Sequence, residues 1–223
     1  GEFFERIGIK VFQCYGLSET SPIISIDRGD DRKLLSVGPV LDSYDAKIDE
    51  ETGELLVKGP SVMKGYYNNP EKTAEVLEPD GWLHTGDIAE FDSDSRLYIT
   101  GRIKNMIVLS GGKKVFPEEV EAVLEQNPNF AEVCVFGATR TSGAKDGTEE
   151  IMTVVVPTDD VIAKYDSEDK LQSFIGQEVK NLSVQLAPYK RPVNIVVRKE
   201  PLPRTATRKV KRNVVKEETM ACY

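Results

Sequence analysis

The six residues Tyr15-Gly16-Leu17-Ser18-Glu19-Thr20 set a hydroxyl beside a carboxylate on a glycine turn. Hard oxygen atoms in that arrangement suit a magnesium ion carrying phosphate; the same residues also read as an ordinary strand-to-loop turn with polar side chains at the surface. Thr85-Gly86-Asp87 offers a second carboxylate after a tight glycine turn. Such a carboxylate can accept hydrogen bonds from the vicinal hydroxyls of a ribose, although a β-turn is the simpler explanation of three residues. A third segment, Gly101 to Glu119, contains Ser110-Gly111-Gly112-Lys113. It lacks the G-x-x-x-x-G-K-[ST] spacing of a P-loop. Its paired glycines therefore fit either a hairpin turn or a backbone that a slender ligand passes closely. The fourth segment, Pro203-Arg204-Thr205-Ala206-Thr207-Arg208-Lys209-Val210-Lys211-Arg212, is a basic loop whose lysine can bring a point charge to a phosphate.

Charge narrows the classes of partner. Residues 198–216 hold eight Lys/Arg against one Glu, on a chain whose net charge is −8. Such a segment suits nucleic acid, an anionic membrane surface or a phosphate-bearing small ligand, or it is a solvated positive face. No aromatic residue lies between Arg198 and Lys216, which counts against stacking on single-stranded nucleic acid. His84, the only histidine, has no partner histidine and no Ser-His-Asp pattern to make it an acid–base group. Cys14, Cys134 and Cys222 have no paired spacing, which argues against a disulfide framework or zinc site and for a reducing, cytoplasmic setting. Cys14 reads as a packed strand residue. With 39% apolar and 30% charged residues, the chain is neither disordered nor built of membrane spans. Nothing at its start resembles a signal peptide, and its first residue is Gly.

The positioning elements follow from apolar spacing and turn residues. Strands are expected at 9–15 and 22–27, and hairpins at 44–58 and 88–102. Residues 69–77 form a short helix, with Asn69 as cap and Pro70 in the first helical position. Residues 81–87 read as a loop. Beyond Arg102 the character changes. A ribbon closes around Gly111-Gly112, and Pro117 opens a helix with Glu118 and Glu119 in its first turn and Val120, Val123 and Leu124 on one face. Strands at 131–138 and 150–157 flank a Gly/Lys/Asp-rich loop. A helix near 167–184, a strand at 193–198 and a short basic helix over 208–218 complete the unit. The first half is mostly antiparallel β, the second is α+β, and polar Lys104-Asn105 falls between apolar runs as a hinge.

Each motif alone is weak, but their order is specific. YGLSE, GELLVKGPSVMKGYYNNPEKT, GWLHTGD, GRIKNMIVLSGGKKVFPEEVE and PRTATRKVKR together resemble the adenylate-forming superfamily, which includes acyl-CoA synthetases, peptide-synthetase adenylation domains and luciferases. The resemblance runs from about Tyr15 to Arg212 and is nearest to long-chain fatty acid–CoA ligases. It implies an α+β chain in which residues 1–103 are the β-rich end of the large adenylating domain and 104–223 the small mobile C-terminal domain. It implies that Tyr15 and Gly16 lie beside adenine, Ser18 near the α-phosphate, and Glu19 on magnesium. Asp87 and Arg102 would bind the ribose, Lys104 would be the hinge, and Gly111 would line the pantetheine passage. Lys209 would be the catalytic lysine, bridging the carboxylate and the α-phosphate. The implied substrates are a fatty acid, ATP and CoA, with magnesium as metal and peripheral membrane contact compatible with fatty substrates.

Two departures qualify the resemblance. Arg208 stands where the superfamily usually has Gly, and either stiffens the loop or adds a phosphate contact. The Ser/Thr/Gly-rich phosphate loop ending in Pro-Lys-Gly is absent from these residues and is expected upstream of Gly1, with most of the acyl pocket. The chain therefore reads as the C-terminal piece of an ATP-dependent acyl-CoA ligase, catalytically weak or inactive alone. A carrier-protein-loading adenylation domain and a non-catalytic nucleotide-binding module are the alternatives.

Overall fold

In a computed structural model of the chain, the described residues are 2–29, 32–33, 35–139 and 149–222. They form two compact units, which divide between Lys104 and Asn105.

The first unit opens with a short helix, α1 (Glu2–Arg6), and a two-residue strand, β1 (Cys14–Tyr15), paired antiparallel with β2 (Ser25–Ile26). The longer strands expected at 9–15 and 22–27 shrink to these ends. A strand persists only where a neighbour takes its backbone groups, and Ile9 and Phe12 lie exposed in the part that does not pair. Cys14, expected to be packed, is exposed as well.

The expected hairpin is present as β3 (Asp45–Ile48) and β4 (Glu54–Lys58). Its turn is held by the Asp49 carboxylate, which accepts from the Thr52 hydroxyl at 2.7 Å and the Thr52 amide at 2.8 Å. In α2 (Pro70–Val76), Asn69 Oδ1 accepts from the Lys72 amide at 3.1 Å, the cap that the sequence indicated. Strands β5 (Leu83–Phe91) and β6 (Leu97–Arg102) complete a sheet of order β3-β4-β5-β6. Ile24, Leu55, Val57, Leu83 and Leu97 fill its core.

Residues 83–87 therefore belong to a strand and not to the expected loop. Leu56 pairs with His84 and Glu54 with Ile88, so Thr85, Gly86 and Asp87 all face the single residue Leu55. The segment is a bulge inside β5, and bulges of this kind re-aim a side chain.

The second unit begins with the ribbon β7 (Ile107–Val108) and β8 (Lys114–Val115) and with α3 (Pro117–Leu124). It continues through β9 (Phe130–Thr139), β10 (Glu149–Pro157), α4 (Asp159–Ile162), α5 (Glu168–Ser183), β11 (Asn194–Val197) and α6 (Arg212–Cys222). Most of the loop expected between β9 and β10 lies outside the described residues. In the sheet β11-β10-β9, β9 runs antiparallel to β10 and β11 parallel to it, which requires the α4–α5 crossover.

Both faces of that sheet are covered. Val133, Val135, Ile151 and Val155 pack under α3 and α5 with Val120, Leu124, Leu171, Ile175 and Val179. The alternate residues Cys134, Phe136, Met152, Val154 and Val156 pack on the other side with Val215 of α6 and with Leu202, which precedes that helix. A sheet buried on both faces explains the near-continuous apolar runs at 133–138 and 151–156. Helix α6 starts at Arg212 and not at 208, because the preceding residues close into a turn of their own.

Leu124 is fully buried and Glu125, next to it, is exposed. Leu124→Ala is expected to cost about 3 kcal/mol and Glu125→Ala less than about 0.5 kcal/mol. Urea unfolding followed by far-UV circular dichroism checks both.

Candidate functional site

The β5 bulge delivers the Asp87 side chain to a place where only 2% of the residue meets solvent. A carboxylate so enclosed must be paired, and two residues distant in sequence do this. The Tyr15 hydroxyl donates to Asp87 Oδ2 at 2.7 Å, and Arg102 Nε lies 2.6 Å from Oδ1. Arg102 is directly opposite Asp87 in the β5–β6 pairing, so the ion pair is a cross-strand pair set by register. Burial first, and then the hydrogen bond to Asp87, hold the Tyr15 phenol protonated well above its ordinary value. The Arg102 guanidinium is itself about half exposed, so the cluster has one open, cationic side.

The turn after Tyr15 is equally constrained. A Cβ on Gly16 would sit 1.5 Å from the Pro22 carbonyl oxygen, so no larger residue fits this close backbone approach. Ser18–Thr20 forms one turn of 3-10 helix in which buried Thr20 accepts from the Leu17 amide at 3.0 Å. The Tyr44 hydroxyl donates to the Thr20 carbonyl at 2.6 Å. Ser18 is exposed at the head of this turn. Glu19 Oε1 accepts from the Tyr66 hydroxyl at 2.9 Å, and that bond raises the Tyr66 phenol pKa.

Among the described residues no cluster of three or more His, Cys, Asp or Glu can hold a metal. A lone carboxylate on a rigid turn still fits a magnesium ion, which characteristically takes one or two carboxylates and completes its shell with water and substrate phosphate oxygens.

Two residues that the sequence reading passed over support the bulge, together with His84. Glu54, buried at the start of β4, accepts from the Gly86 amide at 2.7 Å with Oε1 and lies 2.8 Å from His84 Nδ1 with Oε2. Glu78 Oε1 lies 2.9 Å from His84 Nε2. His84 is therefore a tie between two carboxylates. The alternation of β4 against a second strand was the signal for Glu54, but the pairing partner could not be known from spacing alone.

Lys104 is exposed in a short turn at the end of the first unit. In the second unit Gly111 and Gly112 adopt φ of +85° and +75° with open space around them, so backbone conformation and not crowding calls for glycine there. Lys209 lies in a separate turn. Its amide donates to Thr205 Oγ1 at 3.1 Å, its carbonyl accepts from the Thr205 amide at 2.8 Å, and its side chain is exposed. The turn is anchored just beyond, where Arg212 bridges α3 and β9 through Glu121, Glu118 and the Val135 carbonyl. The same Glu118 accepts from Asn105 Nδ2 at 2.6 Å.

Comparison with known proteins places the chain in a family. Residues 1–67 match the model of the AMP-binding enzyme family and residues 119–209 that of the AMP-binding enzyme C-terminal domain. The chain belongs to the AMP-binding enzyme family. It is 39% identical over 97% of its length to a long-chain-fatty-acid–CoA ligase of Bacillus subtilis and 36% identical over 95% to an indoleacetate–CoA ligase of Aromatoleum aromaticum. It spans only 38% and 40% of those two relatives. Among solved structures it is similar to an o-succinylbenzoate coenzyme A synthetase of Bacillus subtilis in complex with ATP and magnesium ion. That match has a TM-score of 0.76 and 33% identity and covers 96% of this chain and 43% of that one. No described helix is long and apolar enough to cross a membrane.

His84 provides a single-residue probe of the bulge. Burial opposes its charge, but the hydrogen bonds to Glu54 and Glu78 outweigh this and raise its pKa above 6.5. A raised folded value means that the ties stabilise the fold fully below about pH 6.5, and that this contribution is lost as pH rises through the folded pKa. Because the chain has one histidine, its ring resonances can be followed by proton NMR. A pKa above 6.5 that falls in Glu54→Gln is the expected result.

Proposed function

We propose that this chain is the C-terminal part of an enzyme that activates a long-chain fatty acid with ATP as acyl-AMP and then transfers the acyl group to CoA. The carrying observation is the convergence of Tyr15 and Arg102, from two other motifs, on the buried carboxylate of Asp87. In this reading Asp87 accepts from the ribose hydroxyls, with its charge fixed by Arg102 and its orientation by Tyr15 and the bulge. Gly16 leaves the backbone close to adenine, and Ser18 donates toward the α-phosphate. Glu19, steadied by Tyr66, holds magnesium, which when bound offsets phosphate charge.

Lys209 serves the first step. A carboxylate must approach an α-phosphorus while pyrophosphate departs, and an ammonium ion lowers that barrier by offsetting charge where two anions meet. The thioester step needs no such cation, since a thiol attacks a neutral acyl carbon. Lys104 is then the hinge by which Lys209 leaves and Gly111 takes its turn along the pantetheine arm, so that one active site serves both steps. The choice of a long-chain acid is supported by the relative named for that substrate. The indoleacetate–CoA ligase at comparable identity makes an aromatic acid the competing substrate.

In the longer protein, Lys209→Ala is expected to slow adenylation about 100-fold, the scale of one lost transition-state contact, and to spare thioester formation from supplied acyl-adenylate. Separate assays of pyrophosphate release and of acyl-CoA formation measure the two steps. An equal loss in both would overturn the role of Lys209.

A further inference from the structure

The turn carrying Lys209 contains a residue in a conformation that its side chain opposes. Arg208 has φ of +63°. An L-residue in this left-handed region brings its Cβ against the neighbouring carbonyl, and glycine avoids the cost. The arginine here therefore requires an explanation.

The surroundings enforce the conformation. Lys211 donates to the Pro203 carbonyl at 2.8 Å and the Arg208 amide to the Thr205 carbonyl at 2.9 Å, while the Thr205 and Thr207 hydroxyls meet at 2.9 Å. From outside the turn, Arg204 Nη1 donates to the Arg208 carbonyl at 2.7 Å. Arg204 is in turn ion-paired to Glu132 at 3.3 Å, and Glu132 also accepts from the Leu202 amide at 3.0 Å. One arginine is thus used to lock the backbone of another. The Arg208 side chain, by contrast, is exposed, and among the described residues no ion pair or hydrogen bond engages its guanidinium. Strain that neighbouring groups maintain, at a residue whose functional group is left free, points to a ligand.

We propose that Arg208 is a second phosphate-binding residue, contacting the β- and γ-phosphoryl oxygens of ATP while Lys209 serves the α-phosphate. This rests on the role given to Lys209 above. The chemistry of the two side chains divides the work. The ammonium of Lys209 is a compact charge suited to the point where the carboxylate and the α-phosphate meet, whereas a guanidinium offers a planar fork that holds two phosphate oxygens at once. The pyrophosphate portion carries most of the negative charge of ATP and leaves as a unit, so a fork beside the lysine binds ATP in preference to AMP and stabilises the departing group.

The test is calorimetric titration of the longer protein, without acid substrate, with MgATP and separately with AMP. Arg208→Gly is expected to weaken MgATP about 10-fold, the scale of a charge-assisted hydrogen bond, and to leave AMP unchanged. Arg208→Lys, which keeps charge but loses the fork, should fall between wild type and Arg208→Gly. Because glycine removes the strain, the thermal midpoint of Arg208→Gly should not drop, which separates lost binding from lost folding. Undiminished MgATP affinity in Arg208→Gly, an equal weakening of AMP, or a lowered midpoint would each overturn the proposal. A wild-type protein that binds MgATP while Arg208→Gly is indifferent removes Arg208 alone. A wild-type protein that binds no MgATP removes the functional reading with it.

Discussion

A carboxylate closed off from water must be paired, and the first unit is organised around satisfying Asp87. The pairing demands a cation directly across the sheet, which the β5–β6 register supplies as Arg102. It demands a donor from elsewhere, which β1 supplies as Tyr15. It also demands that the strand give up regular pairing, which Glu54 makes tolerable by taking the Gly86 amide. Leaving one partner out would strand a buried charge, and such losses are far costlier than those of surface ion pairs. The geometry of the candidate ribose site is thus a consequence of electrostatics that also hold the sheet together.

The second unit meets a comparable constraint at Arg212. Its guanidinium lies between Glu118, Glu121 and the Val135 carbonyl beside a thiol, Cys134, that burial pushes up to about 12. Burial also raises the Glu121 pKa, a rise that the neighbouring arginine opposes. Asn105, which follows Lys104, is tied to Glu118, and Arg212, which follows the Lys209 turn, is tied to the same residue. The start of the unit and the exit of its lysine-bearing turn therefore share one side chain on α3.

Much of this was legible in the sequence where local chemistry decides structure. Asn69-Pro70, Pro117 with its two glutamates, and the hairpin around Asp49–Gly53 are local signals, and the corresponding elements formed. Tyr15, Asp87 and Arg102 could be named as candidates because their motifs are ordered along the chain. Their convergence could not be read from spacing, since 72 residues separate Tyr15 from Asp87. The same limit hid Glu54 and Tyr66, whose roles exist only once β4 lies beside β5 and the residue-66 loop reaches Glu19. The reading of 83–87 as a loop failed for a related reason: glycine and polar residues mark a turn or a bulge equally, and only the partner strand distinguishes them. The helix expected from 208 begins later because Thr205 and Arg204 bind the backbone of 208–209, in competition with helix formation.

The central proposal is that the longer protein joins a carboxylate to the α-phosphate of ATP. The most direct measurement is exchange of labelled pyrophosphate into ATP by the longer protein, with and without a fatty acid. Exchange that depends on the acid is predicted, because reversible acyl-AMP formation releases and recaptures pyrophosphate. ATP turnover that releases orthophosphate without exchange would contradict the account.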